Sequence, residues 1–329
     1  MIIETNRHSA NIMRLAEKHP EILVLSADLG SSCEIKEFNQ KYPDRYLSMG
    51  IAEENMVSWA GGLAREGFRP FIHTFAVFCY RRVLDQLEMS VAYPNLPVVF
   101  CGFVPGITTP GGVTHQSTND VGVLRTVPNL AIFDVGDATE IDSVLDLAYE
   151  YNGPVYIRQL RKDVPRLFDA TEPMRFNRAR VLSEGTDIAL LSSSICTEEA
   201  MRATLVLAKK GVSIQHLHVS TLKPFTDPQI IEACKKARYG VITIENHTTV
   251  GGLGSAVADV IAANGIGKRL VKIGLNDTYA HGASKMYLMK KYGLDAMSLV
   301  SAIENLMGKK LGIEEEDLEE VRFVDYTAV

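Results

Sequence analysis

With 329 residues, of which 46% are hydrophobic and 22% charged, the chain has the make-up of a globular protein and is long enough for two cores. Its formal net charge of -6 argues against nucleic acid or an anionic membrane as principal partner. No window holds the roughly 18 uninterrupted apolar residues of a spanning helix. The N-terminus lacks a basic stretch followed by an apolar one, and the five cysteines stand singly with no C-x-x-C pair. Neither a disulfide framework nor a zinc site is suggested, and the cytoplasm is the expected compartment.

In chain order, residues 7–19 set Ile12, Leu15 and Ala16 on one face of a helix that Pro20 stops. Residues 22–28 read as a buried strand. Residues 46–64 read as a strand end, a turn at Gly50 and a helix with small and apolar residues at helical spacing. Residues 68–75 form a strand closing in aromatics, 80–93 a helix, and 97–102 another parallel strand. The strands 131–134 and 154–158 flank a helix over 138–149. Short apolar strands alternating with helices imply an α/β fold, a parallel sheet with helices on both faces.

A polar link over 161–180, with Pro165 and Pro173, leads to a second alternating unit. Strands are expected at 188–193, 212–217 and 240–245, helices at 198–210 and 227–237, and mostly helix over 284–307. The expected division is a first domain at 1–165, a linker at 166–185, a smaller α/β domain at 186–310 and an acidic tail at 311–329. The tail is expected to be a solvated helix or a partner-contacting arm. Gly251-Gly252-Leu253-Gly254-Ser255 lacks the Lys-Ser/Thr of a phosphate loop and reads as a tight turn into a helix.

Three stretches carry chemistry. In Gly50-Ile51-Ala52-Glu53-Glu54-Asn55-Met56 an acidic pair opens a helix, where free N–H groups and the helix dipole favour anions. Thr74-Phe75-Ala76-Val77-Phe78-Cys79-Tyr80 is an aromatic run at a strand end, and Gly111-Gly112-Val113-Thr114-His115-Gln116 puts a titrating group in a loop of close backbone approach. Together they resemble the pyrimidine-binding and C-terminal domains of the transketolase family, with 1-deoxyxylulose-phosphate synthase as a related member. The resemblance covers about residues 1–310.

The resemblance implies thiamine diphosphate as cofactor. Glu53 would hydrogen-bond a ring nitrogen of the aminopyrimidine and favour the tautomer that takes the thiazolium proton. Phe75 and Phe78 would wall the pyrimidine, with Tyr80 one position early for the third aromatic. His115 would be the acid/base facing substrate oxygens. Arg158, in the strand end Val155-Tyr156-Ile157-Arg158-Gln159, would hold an anionic substrate terminus. Ser31 or Ser32 would approach that same end, and Asp28 reads equally as a contact or as a structural cap.

Three departures bear on the substrate. Gly111 stands where the family has an aspartate and Phe103 where it has a histidine, and the N-terminal arginine position falls on Asn6 with Arg7 beside it. Fewer anion ligands imply a ketose of altered stereochemistry or a different terminal group. The pyrophosphate-binding domain, with its Gly-Asp-Gly, is missing. The chain is thus expected to be the C-terminal subunit of a split transketolase, moving a two-carbon ketol unit between sugars. An N-terminal subunit would hold the diphosphate and its Mg2+ or Ca2+, in an α2β2 heterotetramer. The alternatives are the beta subunit of a thiamine-dependent 2-oxoacid dehydrogenase, disfavoured by the Thr-His-Gln loop, and a non-catalytic partner of a complete transketolase.

Overall fold

The computed structural model describes residues 2–323. The first sheet takes β1 (Ile22–Ser26), β2 (Tyr46–Ser48), β3 (Arg69–Phe75), β4 (Val99–Phe103), β5 (Ala131–Asp134) and β6 (Val155–Gln159). These six run parallel in the order β5-β6-β4-β3-β1-β2. β1, β4, β5 and β6 are buried along their whole lengths, as expected of strands covered on both faces. Helices α1 (Arg7–Lys18) and α3 (Ala138–Glu150) pack together over one face of the sheet, with Ile12, Leu15, Val144 and Leu145 in that core. Helix α2 (Glu53–Arg65) covers the other face through Met56, Val57 and Ala60.

The second sheet holds β7 (Arg180–Ser183), β8 (Ile188–Ser192), β9 (Ile214–His218), β11 (Gly240–Thr248) and β12 (Leu270–Leu275) in the order β12-β11-β8-β9-β7, with β7 antiparallel at one edge. Between β9 and β11 the chain makes β10 (Thr221–Lys223), which leaves its own domain and pairs antiparallel with β5 at the edge of the first sheet. This strand and the apolar residues around Leu191, Leu217 and Leu222 make one core cluster continuous across both domains. Helices α4 (Cys196–Lys209), α5 (Pro228–Lys236) and α6 (Leu253–Ala263) cover the second sheet, followed by α7 (Lys285–Lys291) and α8 (Ala296–Met307).

Two expectations need correction. The segment 80–93 is not one helix: a single α-turn at Leu84–Gln86 leads into a π-helical stretch at Leu87–Ala92, whose Ser90 backbone lies against Gly61 of α2. The described part of the acidic tail is not a free arm. Helix α9 (Glu315–Glu319) docks on the second domain through buried Leu318, whose carbonyl takes a hydrogen bond from Arg202, and through the Lys290–Glu315 pair at 2.8 Å. Residues 324–329 of that tail lie outside the described residues. No described helix is long and apolar enough to cross a membrane.

Candidate functional site

The candidate site lies at the C-terminal edge of the first sheet, where parallel α/β folds gather their ligands. β2 ends at Ser48, and the chain turns through Gly50, whose φ of 70° is left-handed and suits a residue without Cβ. Helix α2 then opens on Glu53. Its carboxylate is only 3% exposed and accepts a hydrogen bond at 2.8 Å from Arg82 Nη1. A surface hollow of about 470 Å³ lies between Ile51–Asn55 and Arg82.

β3 ends at Phe75, and the short helical turn Ala76–Cys79 swings Phe78 alongside it. The two rings are 6.1 Å apart with planes at 22°. His115 follows the turn Gly112–Thr114 and stands edge-on to both rings, at 6.0 and 5.9 Å. Its Nδ1 shares a 2.9 Å hydrogen bond with Thr114 Oγ1. The glutamate, the two phenylalanines and the loop histidine, drawn from distant parts of the sequence, therefore meet in one place.

Arg82 completes the arrangement. Its guanidinium lies 4.0 Å over the Phe78 ring while donating to Glu53. A flat N–H donor thus stacks on the aromatic wall and reaches the buried carboxylate at once. On the other side of the wall, Arg161 lies 5.5 Å over the Phe75 ring and its Nη1 donates to the Ser32 carbonyl at 2.8 Å. Arg161 opens onto a cavity of about 510 Å³ between the domains, to which Val104, Lys162, Ile195 and Lys285 also contribute.

Arg158 is not part of this surface. It is fully buried, with Nε on Asp120 and Nη1 on Asp134, both at 2.9 Å, and Nη2 on the carbonyl of Asn246 at 2.8 Å. Burial alone would raise the Asp120 carboxyl, but the adjacent Arg158 and His247 hold it below its ordinary range. Arg158 is a staple between the two domains and has no surface to offer an anion; Arg161, half-buried, lies just beyond the strand end and lines a cavity. Tyr80 is likewise turned inward. It is 3% exposed, its hydroxyl donates to Asn119 Oδ1, and burial pushes its pKa to about 12. Arg81, beside it, ties down the His115 loop through the Val113 carbonyl at 3.1 Å.

Ser32 meets the site through its carbonyl, and Asp28 is exposed at the end of β1 with φ 59°. Arg7 is committed to Asp142 at 2.6 Å, and Phe103 packs edge-on against His8 at 5.0 Å. The glycine turn before α6 is filled from within: Glu245 accepts from the Leu253 and Gly254 amides at 2.6 and 2.8 Å. A Cβ on Gly252 would stand 2.0 Å from that carboxylate. Arg82 and Arg161 are the functional candidates that sequence reasoning missed. The only signal was that each follows a nearby arginine, Arg81 and Arg158, that is spent on structure.

Comparison with known proteins matches both halves of the chain. The family model for the transketolase pyrimidine binding domain covers residues 6–166, and that for the transketolase C-terminal domain covers residues 177–299. A Methanocaldococcus jannaschii protein named as a transketolase C-terminal section is 34% identical over 92% of this chain and 96% of its own length. The 6-deoxy-6-sulfo-D-fructose transketolase subunit SqwH of Clostridium sp. (strain MSTE9) is 35% identical over 91% of this chain and 92% of its own. The chain spans about half of the 1-deoxy-D-xylulose-5-phosphate synthase of Syntrophotalea carbinolica, 48% of its length at 30% identity. A solved structure described as a split gene transketolase, inactive beta4 tetramer, superposes with a TM-score of 0.83 at 33% identity, covering 92% of this chain and 97% of the other.

Proposed function

We propose a function from one premise, that this chain belongs to the transketolase family through both of its domains. It is the subunit that binds the pyrimidine end of thiamine diphosphate and, with a pyrophosphate-binding N-terminal subunit, moves a two-carbon ketol unit from a ketose to an aldose. Bound in the completed site, the cofactor supplies the carbanion chemistry that side chains lack.

One observation carries this reading: the Arg82 guanidinium stacks on Phe78 and donates to Glu53. An aminopyrimidine asks for that same pair of contacts, an aromatic face and a buried carboxylate at the ring edge. The residues therefore fit the group, and Arg82 has to leave its place when the pyrimidine arrives. Glu53 then holds a proton at the pyrimidine edge, in a position fixed by the first turn of α2. Phe75 and Phe78 orient a flat ring without demanding exact hydrogen-bond geometry and keep water from one side of it. His115, edge-on to both rings, exchanges protons with substrate oxygens over them. Arg161, pinned by Ser32 and Phe75, binds the anionic end of the sugar.

The chain carries no Gly-Asp-Gly, so the diphosphate and its Mg2+ or Ca2+ fall to the partner, and an α2β2 heterotetramer is the assembly in view. The similar solved structure, described as an inactive beta4 tetramer, supports the expectation that this subunit by itself assembles without activity. Arg7 is spent on Asp142 and Phe103 carries no charge, so the substrate anion meets fewer cations than a sugar phosphate would ask for. With the sulfonated sugar in the name of one relative, this supports a ketose with a terminal group other than the usual phosphate.

The test is steady-state kinetics of the co-purified two-subunit enzyme on a panel of ketose donors. A 6-sulfonated or non-phosphorylated ketose should give the highest kcat/KM. Xylulose 5-phosphate with ribose 5-phosphate as the best pair would refute the substrate class. Turnover of pyruvate in their place would favour the 2-oxoacid dehydrogenase reading.

A further inference from the structure

Beneath the candidate site lies a cluster that ketol transfer does not use. His8 in the first turn of α1, His73 on β3 and Cys101 on β4 are all fully buried. Their ligating atoms lie within 4.8 Å of one another. His73 and Cys101 are registered neighbours on adjacent parallel strands, and α1 lowers His8 onto them from above. The spacing of these residues in the sequence, 8, 73 and 101, hides the cluster completely.

The hydrogen bonds fix which nitrogens carry protons. His73 Nδ1 lies 3.0 Å from the Phe71 carbonyl, so it carries the proton and leaves a lone pair on Nε2. His8 Nε2 lies 2.9 Å from that lone pair and must be the donor. The other nitrogen of His8, Nδ1, is then an unprotonated acceptor, buried and without a partner. That open nitrogen can take the His8 proton when Nε2 is needed as a ligand. A carbonyl holding the far nitrogen of a ring is also the arrangement that aims a histidine at a metal.

We propose that His8, His73 and Cys101 form a three-coordinate site for a thiophilic d10 metal ion, with Cu(I) the ion that matches its charge. The ligand set is two imidazole nitrogens and one thiolate, which selects Cu(I) or Zn(II) over Mg2+ or Ca2+. One thiolate with a monovalent ion leaves no net charge in the apolar surround of Phe103, whereas a divalent ion would bury an unbalanced positive charge. Among the described residues no fourth histidine, cysteine or carboxylate joins the group, which suits an ion content with three ligands.

The protons balance. The Cys101 thiol releases its proton to solvent as sulfur takes the metal. The His8 proton moves from Nε2 to Nδ1, the atom now without a partner, and frees Nε2 to bind. Both histidines then bind through Nε2, and the ion ties the start of α1 to the strands that end at Phe75 and Phe103. Because all three ligands are enclosed, loading accompanies folding.

The test is to refold the full chain anaerobically with Cu(I) held by a competing chelator, and separately with Zn(II). The expected result is one Cu(I) per chain, an X-ray absorption spectrum fitted by two nitrogens and one sulfur, and a higher melting temperature than the metal-free chain. Cys101→Ser should lose the ion while Cys234→Ser keeps it. The absorption fit on the unaltered chain decides the matter even where Cys101→Ser folds poorly. Sub-stoichiometric uptake, an all-sulfur shell or loss of the ion from Cys234→Ser would overturn the proposal. A tighter Zn(II) complex with the same ligands would overturn the assignment to a monovalent ion.

Discussion

Arg158 and Arg161 stand three positions apart in the sequence and do opposite things. Arg158 spends its donors on Asp120, Asp134 and the carbonyl of Asn246, in the dry seam between the domains. Arg161, one turn of chain beyond the strand, keeps one face on Phe75 and one hydrogen bond to Ser32 and leaves the rest to a cavity. Every nitrogen of Arg158 is engaged, whereas Arg161 is hydrogen-bonded through Nη1. Saturation makes a buried charge structural, while a charge left partly open, beside aromatic rings and a cavity, is available to a ligand.

Substitutions should separate the two regions cleanly. The largest effect is expected from Glu53→Gln in the assembled enzyme: ketol transfer should fall by about 100- to 10,000-fold, the scale of a lost proton-transfer group. The melting temperature should stay within a few degrees. Equal loss of activity and stability would move Glu53 into the structural class. Arg158→Met should do the reverse. It strands Asp120 and Asp134 without their cation and should cost roughly 3–5 kcal/mol in urea unfolding, whatever the cofactor does.

Acidification should probe the buried histidines. Burial, the larger cause, lowers His247 to about 4, and burial with His218 lowers His216 to about 3. In both, the unfolded chain binds a proton below its ordinary pKa of 6.5 while the folded chain does not. Stability is therefore fully present above pH 6.5 and falls as the pH drops toward those lowered values. At full extent the shifts amount to roughly 3 kcal/mol for His247 and roughly 5 kcal/mol for His216. Urea midpoints should fall steadily from pH 6.5 to 4.5, and His216→Asn should flatten that slope. A midpoint that rises on acidification would contradict the assignment. Glu245 opposes the trend: burial raises it to about 7, so its contribution strengthens as the pH falls through that value.

Smaller effects belong to the open edge. Arg161→Ala removes one charged contact, worth roughly 1.5–3 kcal/mol, so KM for an anionic ketose should rise about 10- to 100-fold with kcat little changed. An unaltered KM would return the anion site to other residues. Arg82→Ala should tighten thiamine diphosphate binding to the two-subunit enzyme by a few-fold, since the pyrimidine no longer has to displace a guanidinium worth about 1 kcal/mol at a partly exposed site. Weaker binding would make Arg82 a cofactor ligand instead of a placeholder.

The same contrast explains what the sequence disclosed. The alternating apolar strands and helices were legible because burial on both faces leaves continuous apolar runs, as in Ile22–Leu25 and Val99–Phe103. Glu53, Phe75, Phe78 and His115 were legible because their motifs are local. β10 was not, since three residues of a strand that crosses to the other domain's sheet have no periodicity to read. The division between Arg158 and Arg161 was not, since it rests on Asp120, Asp134 and Asn246, all far away in the chain. The π-helical stretch at Leu87–Ala92 hid for a related reason, its geometry being set by packing on α2.

The central claim is that Glu53, Phe75 and Phe78 make half of a cofactor site that a second chain completes. Calorimetric titration of thiamine diphosphate with divalent metal into this chain, into its pyrophosphate-domain partner and into their complex tests that claim most directly. The account predicts tight, metal-dependent binding by the complex alone, with ketol transfer abolished in Glu53→Gln. Full-affinity binding by the partner chain alone, or none by the complex, would contradict it.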